Sequence, residues 1–110
     1  MKWPSKKEVE KSLNEWSKRL NKERDDLTRI GYFGSYAKEN WGVGSDLDLI
    51  IILEKSEKPF ERRGIDFDTS PIPVPTELLV YTRKEWRNMQ VEKNEFYCSV
   101  FEEIIWINPK

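Results

Sequence analysis

Apolar residues early in the chain recur at helical spacing. Val9, Leu13, Trp16 and Leu20 are separated by four, three and four positions, which draws a single stripe along a helix. Ser5 and Glu8 ahead of the stripe have the spacing of a capping box, so the helix is expected to start there and run to about Asp26. Its other faces carry Lys, Glu and Arg, so it should cover one side of a sheet and keep its charges in water. The pattern then shortens. Leu27 to Phe33 reads as a strand, Gly34 lets the chain turn tightly, and a short helix is predicted from near Ser35. A loop with two glycines, Gly42 and Gly44, leads into a second strand from Ser45 to Leu53 that ends in the apolar run Ile50-Ile51-Ile52-Leu53.

Beyond Leu53 the pattern is interrupted by Pro59, Pro71, Pro73 and Pro75, with a short helix predicted near Phe60 to Gly64. This stretch reads equally as a lid or as a long connection. Thr76 to Tyr81 is a third strand, Thr82 followed by Glu85 opens a helix over Arg83 to Gln90, and Asn94 to Glu102 is also helical. Ile104 to Ile107 closes the chain as a short strand. Phe96, Tyr97, Val100 and Phe101 form an apolar face that reads first as core and second as a partner surface. The expected class is α+β, a small mixed β-sheet flanked by helices. The 110 residues leave room for one domain, residues 1–110, and one core.

Composition narrows the chemistry. Lys and Arg number 19 against 20 Asp and Glu, a formal charge of −1, so no global basic field points to direct nucleic-acid binding. The chain has no histidine and a single cysteine, Cys98, which excludes an internal disulfide, Cys/His zinc patterns and Cys/His nucleophile pairs. The N-terminus lacks the apolar core of a signal peptide, and no apolar run approaches the ~20 residues of a membrane span, so the protein is expected in the cytoplasm.

The candidate chemistry lies in Gly34-Ser35 and, after nine intervening residues, Ser45-Asp46-Leu47-Asp48-Leu49. Carboxylates at i and i+2 of a strand point to one face, so Asp46 and Asp48 can converge on one cation while Leu47 and Leu49 pack on the other side. Such a pair beside a glycine turn suits Mg²⁺ bound together with substrate phosphates. Each part also has a plainer reading: Gly34-Ser35 as a turn with a serine cap, and the two aspartates as solvent-facing residues at the start of a strand. A third carboxylate has three candidates, Glu77, Asp66 and Asp68. Glu77 is the best placed, because it begins an apolar strand and shares a face with Leu79. Ser45 reads either as a brace for the loop through a backbone hydrogen bond or as a substrate contact. Lys38 reads either as a phosphate contact or as a solvated helix residue, and Tyr36 and Trp41 as base-stacking or packing aromatics.

The Gly34-Ser35 and Ser45-Asp46-Leu47-Asp48-Leu49 pattern resembles the signature of the polymerase-beta-like nucleotidyltransferases, and the short chain resembles their minimal form. The resemblance covers about Ile30 to Leu53 and, with less specific motifs, Pro75 to Tyr81. It implies the polymerase-beta-like fold and transfer of a nucleoside monophosphate, usually AMP from ATP. By the same resemblance Gly34, Ser35, Lys38 and Ser45 bind the nucleotide, while Asp46, Asp48 and Glu77 are the catalytic residues that hold two Mg²⁺ ions. Minimal nucleotidyltransferases are commonly encoded beside a HEPN-domain protein. An acceptor hydroxyl on such a toxin, an antitoxin role and a homo- or hetero-oligomer are therefore implied. Two positions depart from the family's usual Gly-Ser-x-Ala-Arg-Gly: Lys38 stands where Arg is usual, and Glu39 where Gly is usual. The rival reading is a binding module that neutralises its partner by contact alone. A small-molecule transferase is disfavoured because so short a chain offers little surface to enclose the acceptor.

Overall fold

A computed structural model describes residues 3–38, 42 and 44–108; Glu39 and Trp41, singled out above, lie outside the described residues. Four strands, β1 (Leu27–Phe33), β2 (Leu47–Leu53), β3 (Thr76–Thr82) and β4 (Ile105–Asn108), form one sheet in the order β3-β2-β1-β4. β1 runs antiparallel to both β2 and β4, whereas β2 and β3 are parallel, so the sheet is mixed. The helices are α1 (Lys6–Glu23), α2 (Ser35–Lys38), α3 (Arg83–Val91) and α4 (Glu95–Val100), and a 3₁₀ helix spans Phe60–Asp66.

The sequence of β2 explains why it lies inside the sheet. Side chains alternate across a strand, so Leu47, Leu49, Ile51 and Leu53 face one way and Asp48, Ile50 and Ile52 the other. The first set joins Val9, Leu13, Trp16 and Leu20 of α1 in one core, with Phe67, Ile72 and Val74 from the β2–β3 crossover. From the second set Ile50 and Ile52 join Val100 and Ile104, with Phe33, Tyr81, Trp86, Phe96 and Trp106 packed around them. The 54–75 segment is therefore a connection whose buried apolar residues, Phe67, Ile72 and Val74, sit on the α1 side of the sheet. Its anchor is Arg63, only 6% exposed, which donates to Lys58 O at 2.9 Å, to Val80 O at 3.1 Å and to both carboxylate oxygens of Glu85.

Element boundaries differ from the sequence reading where side chains intervene. Helix α1 stops at Glu23, short of Asp26, because Arg24 turns extended and grips Asp26 with two hydrogen bonds of 2.9 Å, while Asp26 O accepts from Glu54 N–H. β2 begins at Leu47, not Ser45, because Ser45 is held in a turn with Gly42. The final helix is shortened to Glu95–Val100, with Asn94 as its cap accepting from Tyr97 N–H. The expected capping box of Ser5 with Glu8 is present, and the helix start at Thr82 proves to be a second one, with Glu85.

Candidate active site

Three strand ends meet on the α3/α4 side of the sheet. In register, Phe33 at the end of β1 stands opposite Asp48, and Asp48 stands opposite Glu77 across the parallel β2–β3 pair. Opposed residues on adjacent strands are about 5 Å apart and share a face, so the Asp48 and Glu77 side chains lie side by side. Together with Phe33, Leu79 and Phe96 they line a cavity of about 200 Å³. Asp46 is exposed one residue ahead of β2, so it approaches Asp48 from the loop rather than along the strand.

Gly34 abuts the Asp48 carboxylate. Its φ of 78° lies in the left-handed region, where side chains are strained, and a Cβ built on it would collide with Asp48 Oδ2. The glycine is thus needed for the turn and for the close approach of backbone to carboxylate. Ser35, half-buried, opens α2 immediately after it, and Gly34 O accepts from Lys38 N–H at 3.0 Å.

The electrostatics follow from this crowding. Burial raises the Asp48 carboxyl above its usual range, and the neighbouring charges of Glu77 and Asp46 push it further the same way. Among the described residues no three carboxylates stand close enough to hold an ion as a ready-made cage. The donor set nevertheless fits Mg²⁺, which keeps several waters and takes one or two carboxylates plus substrate phosphates rather than an all-protein cage. Hard carboxylate oxygens with mutual repulsion are the donors such a cation relieves.

Asp66 and Asp68, the rival third carboxylates, lie elsewhere. They line a separate hollow of about 240 Å³ against Trp16 and Leu20 of α1, across the sheet from Asp48. Lys58 Nζ holds Asp66 at 2.6 Å, and Ser70 N–H donates to Asp68 at 3.0 Å. Ser45 accepts from Gly42 N–H through its hydroxyl at 2.8 Å and returns its own N–H to Gly42 O at 2.9 Å, which is the bracing geometry. Tyr36 is buried in the α1-side core, so it packs and does not flank the cleft. Phe96 lines the cavity, Tyr97 and Val100 are buried, and Phe101 is exposed while stacking on Tyr97.

One residue at the site escaped the sequence reading. Glu103, in the turn before β4, accepts from Gly34 N–H at 3.3 Å, and its other oxygen stands 3.5 Å from Lys38 Nζ. A carboxylate therefore bridges the Gly34 backbone donor and the Lys38 ammonium. Glu103 is 69 residues from Gly34, and only its place between an apolar helix and a terminal strand hinted that it would return to the β1 end.

A family model for the nucleotidyltransferase domain matches residues 9–106. The fold also resembles a crystal structure of a candidate nucleotidyltransferase from Sulfolobus solfataricus, at 18% identity and a TM-score of 0.62, over 76% of this chain and 75% of that one. No curated protein matches the sequence. Among the described residues no helix is long and apolar enough to cross a membrane. With the model spanning β1 to β3 and reaching the start of β4, and the glycine turn abutting the β2 carboxylate, the chain belongs to the nucleotidyltransferase domain family.

Proposed function

We propose that this chain transfers AMP from ATP to a hydroxyl on a partner protein, with Mg²⁺ shared between the substrate phosphates and the carboxylates of Asp46, Asp48 and Glu77. The observation that carries the reading is the juxtaposition of Asp48 with Glu77 in strand register beside Gly34, whose φ and missing Cβ leave the carboxylate room. Mg²⁺ at these oxygens would supply charge neutralisation at the α-phosphate and activation of the attacking hydroxyl; as the new ester bond to the α-phosphorus forms, the bond from that phosphorus to the bridging oxygen of the β-phosphate breaks, pyrophosphate leaves and the hydroxyl proton is released to water. The residues themselves do the positioning. Gly34 N–H and Lys38 meet the phosphates, Glu103 gives way to them, and Phe33, Leu79 and Phe96 wall the reacting group from bulk water.

The size of the site supports a protein acceptor. A cavity of about 200 Å³ is below the usual 300–1,000 Å³ range of sites that enclose a small molecule, so the acceptor hydroxyl arrives on another surface. We propose a HEPN-type toxin encoded nearby as that acceptor, with the adduct silencing it. The rival, neutralisation by contact, is favoured by one observation: Glu103 occupies the donors that phosphate needs.

The test is incubation with Mg²⁺ and ATP labelled at the α-phosphate, with and without the neighbouring protein, using Asp46→Asn/Asp48→Asn as control. Label on the neighbour that vanishes in the control supports transfer. Inhibition of the neighbour with no label on either chain replaces it with the contact reading.

A further inference from the structure

The face that carries Asp48 also carries, at its other end, a groove of about 600 Å³ lined by Arg29, Arg83, Arg87, Ile52, Trp86 and Gln90, with Thr28 at its rim. Among the described residues no carboxylate lines it, and Glu54 stands at its edge, 3.5 Å from Thr28 Oγ1. Arg29 lies over the Trp106 ring at 4.7 Å and Arg83 shares Glu54 at 3.4 Å, while Arg87 has no carboxylate partner among the described residues. On a chain of net charge −1, three guanidinium groups gathered on one groove, only one of them paired with a carboxylate among the described residues, leave a local positive site. Nothing in the transfer chemistry above uses it. Ile52 in its floor follows Asp48 by four residues on the same face of β2, about 13 Å along the strand.

We infer that this groove docks an acidic segment of a protein partner. Arginine forks pair with carboxylates bidentately, and a groove edged by arginines over an apolar floor of Ile52 and Trp86 fits acidic residues interspersed with an apolar one. Arg and Trp are also the side chains that most often anchor protein interfaces. Single-stranded nucleic acid fits less well, because bases need free aromatic faces. Here the Trp106 face is covered by Arg29, and Trp86 is packed against Tyr81, Tyr97 and Trp106 at ring distances of 5.8, 4.9 and 6.1 Å. The inference deepens the reading of a protein acceptor, on which it rests. Docking is measured without transfer, so the two fail separately.

The experiment is fluorescence anisotropy at low ionic strength with three labelled probes: a short peptide rich in Glu and Asp around a leucine, its Gln/Asn counterpart, and a single-stranded RNA. The acidic peptide should bind at least about tenfold more tightly than its neutral counterpart and than the RNA, and Arg29→Glu/Arg87→Glu should weaken it about tenfold. Lys7→Glu/Lys11→Glu, an equal charge change on α1 at the opposite face, should alter it by less than about twofold. Arg29→Gln/Arg87→Gln, with a smaller loss of affinity, replaces the charge reversal if that variant misfolds. Failure of the acidic peptide to bind, equal binding by the groove variants, or tighter binding of the RNA would each overturn the inference. Peptide binding without any α-phosphate transfer would leave docking standing and remove only the transfer reading.

Discussion

Beneath α1 the sheet presents Leu47, Leu49, Ile51 and Leu53 to Val9, Leu13, Trp16 and Leu20, and every one of these is buried. The opposite face of the same strand presents Asp48, Ile50 and Ile52, covered by two short helices and a ring of aromatics, with a crowded carboxylate at one end and arginines at the other. The first face contributes stability without chemistry. Apolar burial on the scale of about 25 cal/mol per Å² lets the fold tolerate a repulsive acidic cluster at the edge of the second. The difference teaches where stability and activity should separate on mutation.

The largest effect is expected for Asp48→Asn. Transfer should fall about a thousandfold or more in an α-phosphate label assay, equivalent to roughly 4 kcal/mol of transition-state stabilisation, while the melting temperature holds or rises. Ile51→Ala on the α1 face should do the reverse. It should lose about 3 kcal/mol in urea unfolding, yet keep activity per folded molecule at low temperature. Equal loss of activity in the two variants would erase the distinction between the faces. Arg63→Ala should cost about 2 kcal/mol in the same titration, because it leaves Val80 O and Lys58 O without their donor and Glu85 without its cation. Glu103→Gln is the smallest change and sharpens the comparison. Removing the anion that holds Gly34 N–H and Lys38 should tighten Mg²⁺·ATP binding by about twofold to fivefold in calorimetry.

Acid titration separates two carboxylates by sign. The folded state raises the Asp48 pKa, mainly through burial, so it binds that proton more tightly than the unfolded chain does. Stability from this site is therefore greatest on the acid side and falls as pH rises from the ordinary carboxyl value of 3.8 through the raised folded value. The hydrogen bonds from Arg63 lower the Glu85 pKa below 4.5, so its contribution is present above that value and is lost as pH falls through the depressed one. Melting curves of Asp48→Asn and Glu85→Gln against wild type from pH 3 to 7 should diverge with these opposite slopes.

Much of the α1 face was legible because its signals are local. The stripe from Val9 to Leu20, the capping box at Ser5, the helix start at Thr82 and the alternation in β2 each follow from neighbouring residues, and β1 matches its expected span. The pairing of Asp48 with Glu77 was legible only as a preference, since a long crossover separates the strands and fixes no register by itself. Asp66 and Asp68 stayed eligible until Lys58, Ser70 and the Trp16 side of α1 placed them across the sheet. Glu103 and the arginine groove were illegible for the same reason. Each is assembled from distant segments brought together by the antiparallel return of β4 and the packing of α3, and no local spacing encodes that meeting.

Thermal melting with and without Mg²⁺·ATP, for wild type and Asp48→Asn side by side, tests the central claim that the crowded carboxylates beside Gly34 form the nucleotide and metal site. At ligand near a hundred times its Kd, the wild type should gain about 2.7 kcal/mol, a rise of roughly 10 °C or more, and Asp48→Asn should gain little. An equal rise in both proteins, or none in the wild type, would contradict the account.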